Sequence, residues 1–369
     1  MTTTSLRVAA PRATTGELDL GRRVIRLPWP GGGLRADLRG VVVTLACLVI
    51  ALAVAILAIG TGDFPLTPAQ VVRALLGTAP PGDVFVVREL RLPRTAAALA
   101  LGAALAVGGA VFQSLTRNPL GSPDIIGFGT GAYTGALVVM LLLGGSYLMT
   151  ATGALIGGVL TAVLVYALSV GRAIGRSGVA GFRLIIIGIG VSAMLSAFNT
   201  WIMLRAEIED AMRAAVWGAG SLTGMAWAQA LPAAIACGII VAAAAALWPR
   251  LQMLELGDDS AASLGVRVEP ARLALMMLGI ASVAVASATA GPISFIALAA
   301  PQIAKRLTRG TGIPLVTSAV MGGLLLLVSD LVAQRIHPQT PLPVGIVTVC
   351  VGGVYLIWLL ISEGRKGLR

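Results

Sequence analysis

The chain has 369 residues, 57% of them hydrophobic and only 12% charged, with a mean hydropathy of +0.92; so few charges cannot cover the surface of a soluble protein of this size. Its net charge of +11 comes from 27 basic residues, all arginine except Lys305 and Lys366, scattered in short groups between apolar stretches. That is the distribution of topology determinants rather than of a phosphate-tracking face, so nucleic-acid binding is excluded along with disorder and coiled coil, and a polytopic membrane protein remains.

Residues 1–40 are polar, basic and rich in proline and glycine, with the run Pro28-Trp29-Pro30-Gly31-Gly32-Gly33. They read as a flexible cytoplasmic extension without a cleavable signal, because the first apolar stretch starts near residue 41 and has full membrane length. A bilayer core takes about 20 apolar residues per helix. Charge-free intervals predict spans at Val41–Gly60, Thr95–Thr116, Ile125–Leu143, Leu148–Val170, Leu184–Leu204 and Trp227–Trp248. The third and fourth share one interval, split at Gly144-Gly145-Ser146. After Arg272, Gly291-Pro292 divides the next interval into Leu273–Ala290 and a short Ile293–Ala304. The short piece either extends through Lys305-Arg306 by snorkelling or stays re-entrant, with Pro301 tolerated as a kink. Ile313–Val332 and Val344–Ile361 complete ten spans, or nine if the short piece does not cross. Residues 41–362 thus make the membrane domain and 363–369 a short basic tail. With ten crossings and the N-terminus inside, twenty basic residues fall on the cytoplasmic side and seven outside, which favours that orientation and the even number.

Chemistry-bearing residues are sparse. The three cysteines, Cys47, Cys237 and Cys350, lie inside apolar runs and read as small hydrophobes. The one histidine, His337, sits beside Pro338 in a predicted external loop with no partner for a metal. There is no G-x-x-x-x-G-K-[ST], so no catalytic, cofactor or metal residue is assigned and any energy from ATP must arrive from a partner. Asp330 is embedded in an apolar run beside Ser329. It reads as bonded to Ser329 or nearby backbone; the competing reading, an ion-coupled secondary transporter, wants a second acid or unwound backbone at the midplane, and none is evident. An integral-membrane enzyme is disfavoured by the same scarcity. The small-residue runs Gly102-Ala103-Ala104 and Gly108-Gly109-Ala110 fit close helix packing. Leu115-Thr116-Arg117 recurs as Leu307-Thr308-Arg309, an echo too short to establish a repeat.

Two polar loops stand out. Arg117–Asp124 is a rigid turn between the second and third spans. In Leu254–Val266, Asp258 or Asp259 is expected to cap a short helix that terminates at Gly265, a shape suited either to docking a partner or to an ordinary interfacial loop.

These residues resemble a family. Leu90-Arg91-Leu92-Pro93-Arg94, Gln113, Arg117-Asn118-Pro119-Leu120, Leu256-Gly257, Ala262-Ser263-Leu264-Gly265, Gly291-Pro292-Ile293-Ser294-Phe295-Ile296, Pro301 and Leu342-Pro343-Val344-Gly345 are similar, in order and spacing, to the iron-siderophore and vitamin B12 import permeases of ATP-binding-cassette transporters. The stretch Ser114–Asp124 looks most like the ferric-enterobactin branch.

The resemblance implies an all-α fold of ten transmembrane helices, like the vitamin B12 permease, in a bacterial inner membrane with both termini cytoplasmic. It implies a second permease subunit, identical or a paralogue, and two ATP-binding subunits that hold ATP and magnesium. It also implies an external substrate-binding lipoprotein and a ferric siderophore as substrate, with cobalamin or haem as the alternative. Glu255, Leu256, Gly257, Asp258, Asp259, Ala262, Leu264 and Gly265 would contact the ATPase; Arg91 and Arg94 would dock the binding protein; Asn118, Leu120, Gly181 and Phe182 would form the cytoplasmic gate. Two positions depart from the family pattern: Gln302 stands where relatives often have histidine, and Gln334-Arg335 where an arginine is often found one place earlier.

Overall fold

The computed structural model of the chain describes residues 24–27, 34–124, 127–169, 181–310, 312–336 and 342–367. Two short strands, β1 (Val24–Leu27) and β2 (Leu34–Asp37), pair antiparallel with Val24 opposite Asp37 and Leu27 opposite Leu34. The sequence reading had no structure here; β-branched Val24 and Ile25 favour the strand, and the Pro/Gly-rich run between the strands has turn composition. Asp37 then accepts a hydrogen bond from the Arg39 N–H at 3.2 Å, so α1 (Leu38–Gly60) starts before the apolar run does.

The remaining elements follow in order. After α1 come the short α2 (Pro68–Leu76) and α3 (Pro81–Phe85), a π-helical turn Val86–Arg91, and α4 (Leu92–Thr116). α5 (Phe128–Leu137) ends in a second π-helical turn, Val138–Leu142; α6 is Tyr147–Ser169, α7 Gly181–Arg205 and α8 Ile208–Gly218. The last six are α9 (Trp227–Glu255), α10 (Asp258–Ser263), α11 (Val268–Ala290), α12 (Ile296–Thr308), α13 (Leu315–Ile336) and α14 (Val344–Gly367). Among the described residues, each of the ten segments read as a span contains a helix. Among the described residues seven helices are long and apolar enough to cross a membrane: α1, the continuous stretch Pro81–Thr116, α6, Arg183–Arg205 of α7, α9, α11 and α13. Phe128–Leu142 and Val344–Trp358 are shorter apolar helices. α12 runs through Lys305 and Arg306 to Thr308 and keeps Pro301 inside. α14 continues through Arg365 and Lys366 to Gly367, so the described part of the expected tail is helical.

The helix of the second span begins before Thr95, where the charge-free interval starts, and runs through Pro93. Pro93 has no N–H to give to the preceding turn, and the helix widens there: the Leu92 N–H reaches back to Val87 O, joining α4 to the π-helical turn.

α4 is the central helix. Of its most apolar window 78% is buried, against 28% for α1 and α9 and 22% for α7. It packs on α13, α9, α11 and α12, and its glycines let two of these approach to backbone contact: Gly102 meets Gly322 of α13, and Gly109 meets Ala297 of α12.

α4 and α12 end alike. Each closes on an arginine in the left-handed region, Arg117 at φ 50° and Arg309 at φ 51°. The threonine before each arginine turns its hydroxyl back onto its own helix, Thr116 to Phe112 O at 2.7 Å and Thr308 to Ala304 O at 2.9 Å. The echoed triplet is therefore one local way of ending a helix, used twice at the same end of the bundle.

Candidate functional site

The Leu254–Val266 connection is built by glycine at both ends. Gly257 sits at φ +117° and Gly265 at φ +85°, conformations that side-chain-bearing residues rarely adopt, and between them lies α10. Neither aspartate caps it: the N-cap is Gly257, without a side-chain bond. Asp258 and Asp259 instead occupy the first turn, where acids favour the helix dipole, and Asp258 pairs with Arg272 at 2.7 Å. Ala261 is fully buried against Leu251, Leu254 and Leu275. The opposite face carries Leu256 and Leu264 at 68% and 58% exposure, next to exposed Asp259 and Ala262. This turn is anchored by one face and offers apolar side chains on the other.

At the opposite end of α4, three arginines spaced by three residues each find an internal acceptor. Arg88 Nη2 donates to Leu75 O of α2 at 2.7 Å. Arg91 donates to Ile59 O of α1 at 2.7 Å and to Phe64 O at 2.8 Å. Arg94 makes a two-pronged contact with Asp330 of α13, Nε to Oδ2 at 2.9 Å and Nη2 to Oδ1 at 2.8 Å. Arg91 and Arg94 are thus turned to different partners rather than presented as a free pair. These charges run counter to the basic-residue distribution because two of them close helix carbonyl ends and one neutralises a buried acid.

Asp330, 2% exposed, is bonded to Arg94 and not to Ser329 or backbone as its neighbourhood suggested. Gln334 Nε2 donates to its Oδ2 at 2.8 Å, so the residue that departs from the family pattern completes this cluster. Arg335 is exposed beside Leu57, Thr61 and Ile336.

Of the expected gate, Asn118 Oδ1 accepts from the Leu120 N–H at 2.9 Å, a local turn that holds both residues half-buried after α4. Gly181 and Phe182 open α7; their side chains lie outside the described residues, as does His337. Behind Asn118, Gln302 Nε2 donates to Gln113 Oε1 at 2.7 Å, and Gln113 Nε2 donates to Leu298 O at 3.0 Å. The second departure from the family pattern is thus one half of a buried amide pair bridging α4 and α12.

A cavity of about 750 Å³ opens between α5, α7 and α14, lined by Asp124, Tyr133, Asn199 and Ile346 among others. Sequence reasoning assigned no site residue to this face: the apolar runs around Asn199 hid its position. Asn199 Oδ1 and Asp124 Oδ2 are buried there without a hydrogen-bond partner. Although Asp124 as a whole keeps some exposure, that oxygen is shut away from solvent, and burial pushes the carboxyl up to about 7, with the Ser122 hydrogen bond pulling the other way. The fold therefore favours the protonated form. Its contribution to stability is complete below the ordinary range near ~4, drains away as pH rises towards 7, and is flat above. Asp124→Asn is expected to flatten that part of the stability profile, read as thermal midpoints between about pH 4 and 8; a profile parallel to wild type would rule this out.

The family model of the FecCD transport family matches residues 48–362. The chain is 50% identical over 329 residues to the ferric enterobactin transport system permease protein FepG of Escherichia coli (strain K12), covering 89% of this chain and 98% of that one. It is 35% identical over 326 residues to the achromobactin transport system permease protein CbrC of Dickeya dadantii (strain 3937), covering 87% and 91%. A solved metal-chelate type ABC transporter in an inward-facing conformation superposes with a TM-score of 0.76 at 25% identity, over 87% of this chain and 99% of that chain. With the family model matched over most of its length and two permeases aligned almost end to end, this multi-pass membrane protein belongs to the FecCD transport family.

Proposed function

We propose that the chain is the membrane permease of an ATP-driven importer that carries a ferric siderophore inward from an external binding protein. The observation that carries this reading is half identity to a ferric enterobactin permease over 98% of that protein's length. In this reading ten helices cross the inner membrane with both termini cytoplasmic. Two ATPase subunits, holding ATP and magnesium, seat α10 in a cleft. A second permease, identical or a paralogue, covers the little-buried α7 and the exposed side of α14, where Val354 and Ile357 are 70% and 62% exposed. The side cavity then faces the pathway between the two subunits, and Asn118, Leu120, Gly181 and Phe182 stand at its cytoplasmic gate. The binding protein docks on the end formed by α2 and α3, with Arg91 and Arg94 fixing the helices beneath it.

The reading is tested by copurifying the subunits and measuring uptake of a panel of ferric chelates into proteoliposomes that contain ATP. Uptake of ferric enterobactin above ferric citrate, ferric hydroxamate and cobalamin is the expected result; preference for cobalamin or haem, or uptake driven by an ion gradient without ATP, would overturn it.

The coupling role has its own test. Leu264→Asp puts a charge into the apolar contact, and Gly257→Pro asks for a φ near −65° where the chain needs +117°. Both variants are expected in the membrane at normal amounts, with uptake below about a tenth of wild type, the factor that about 1.4 kcal/mol of lost docking energy gives. Wild-type uptake in both would remove α10 from the mechanism.

A further inference from the structure

A groove of about 450 Å³ opens where α1 and α13 end side by side, and none of the roles above uses its residues. Its wall is Leu57 and Thr61 from the end of α1, with Leu331, Val332, Arg335 and Ile336 from the end of α13. Leu57, Val332 and Ile336 are 50%, 40% and 59% exposed, so the groove lies open on the face of α1, away from the α7 and α14 face given above to a second permease. It is ordered along its length. Thr61 and Arg335 stand at the helix ends, and Leu57 and Leu331 each lie four residues earlier, about 6 Å deeper. Polar groups therefore sit at the mouth with hydrocarbon beneath, which is the order of a phospholipid from phosphate to chain.

Among the described residues no hydrogen bond or ion pair engages the Arg335 guanidinium. The acceptors nearby are already taken. Asp330 accepts from Arg94 and Gln334. The last three carbonyls of α1 are occupied too: Ala58 O by the Thr61 hydroxyl at 3.3 Å, Ile59 O by Arg91 at 2.7 Å and Gly60 O by the Leu66 N–H at 2.8 Å. Asp63, in the loop after Thr61, is exposed, stands outside the groove wall and pairs with no described cation.

A terminal arginine has an ordinary explanation, since it complements its own helix dipole and anchors the helix end at headgroup level. That explanation accounts for the charge but not for the apolar groove between two helices that runs down from it. It also leaves the headgroup unspecified, whereas the wall does not. The one formal charge there is positive and no carboxylate lines it, so nothing would receive the ammonium of a zwitterionic headgroup. An arginine fork suits phosphate oxygens.

We propose that this groove holds an anionic phospholipid, with its phosphate on Arg335 and the upper part of one acyl chain along Leu57, Leu331 and Val332. The site requires a chain that spans a membrane and is independent of what the chain transports.

The test takes the full chain from nanodiscs of equal phosphatidylglycerol and phosphatidylcholine and counts, by native mass spectrometry, the lipids still bound in detergent. Wild type is expected to retain phosphatidylglycerol over phosphatidylcholine. Arg335→Gln is expected to lower that preference about fivefold, the contribution of one basic residue near a membrane surface. Leu57→Ser is expected to weaken retention of both lipids alike, because it removes contact with the chain and leaves the charge. Arg73→Gln is the control: this arginine is exposed in the last turn of α2, outside the groove, and its loss is expected to leave the preference unchanged. No preference in wild type, or an equal loss in Arg73→Gln and Arg335→Gln, would reduce the effect to general surface charge and overturn the site. Bound phosphatidylglycerol that is displaced when the binding protein or the second permease is added would give the groove to a protein and overturn it as well. If Arg335→Gln fails to fold, Leu57→Ser decides, and wild-type retention in that variant overturns the groove.

Discussion

Asp330→Asn is expected to destabilise the folded permease by about 3–5 kcal/mol, the cost typical of removing one partner of a buried ion pair. The carboxylate is 2% exposed and accepts both Arg94 contacts at 2.8 and 2.9 Å, while Gln334 donates to one of the same oxygens. An amide keeps one acceptor but turns an NH₂ group toward donors, so Arg94, itself 17% exposed, is left largely without its counter-charge. From the sequence alone the same change looks mild, because Asp330 reads as a lone acid near a helix end. The companion double variant, Arg94→Met with Asp330→Leu, removes both charges and is expected to recover most of the loss. Denaturation midpoints in detergent and the amount of protein retained in the membrane check both; Asp330→Asn within about 1 kcal/mol of wild type would mean that the pair contributes little.

Gly109→Ala is expected to damage the same core by overpacking. A Cβ there would lie 2.9 Å from the Ala297 Cα and overlap the Ala297 carbonyl, and backbone cannot step aside as a flexible side chain can. α4 and α12 would have to part, with loss of the Gln302–Gln113 bond that bridges them. Overpacking of a well-filled interior costs about 1–3 kcal/mol and more when backbone must move. The control is Gly238→Ala on α9, where the new methyl meets nothing within 4 Å and helix propensity improves. Membrane yield and thermal midpoint should fall sharply for the first and hold for the second; equal behaviour of the two would show that the α4–α12 contact tolerates an extra atom layer.

The helices were legible because a membrane span needs a charge-free stretch of a known length, and that length can be measured along the chain. Even the short piece after Gly291-Pro292 resolved as a helix running on through Lys305 and Arg306. The interfacial elements were less visible. α2 has a readable capping box, Thr67 with Gln70, but α3 and α8 are short and half-polar, without a period long enough to stand out. The π-helical turn before Pro93 follows from a missing N–H whose effect depends on the helix being continuous, which the sequence does not state. Partners across the bundle were invisible for a plainer reason: local pattern carries no information about which acid Arg94 meets. The Leu254–Val266 connection was the more legible of the two polar loops, since glycines at 257 and 265 bracket it and exposed leucines flank α10. Its capping was misread because aspartates at the first turn and at the cap look alike in sequence.

The Arg94–Asp330 pair also sets a condition on how the chain is made. Its members are 236 residues apart. At about 5–20 residues per second, the arginine waits roughly 10 to 50 s after synthesis before its acid emerges from the ribosome. During that interval α4, the helix around which the bundle is later packed, holds a cation that its near neighbours do not neutralise. A long arginine side chain near a helix end can keep its guanidinium at headgroup level, where water and phosphates satisfy it. Until α13 arrives, Arg94 depends on headgroups and water for its counter-charges, and a ribosome stalled before Leu315 leaves the α4–α13 contact unmade.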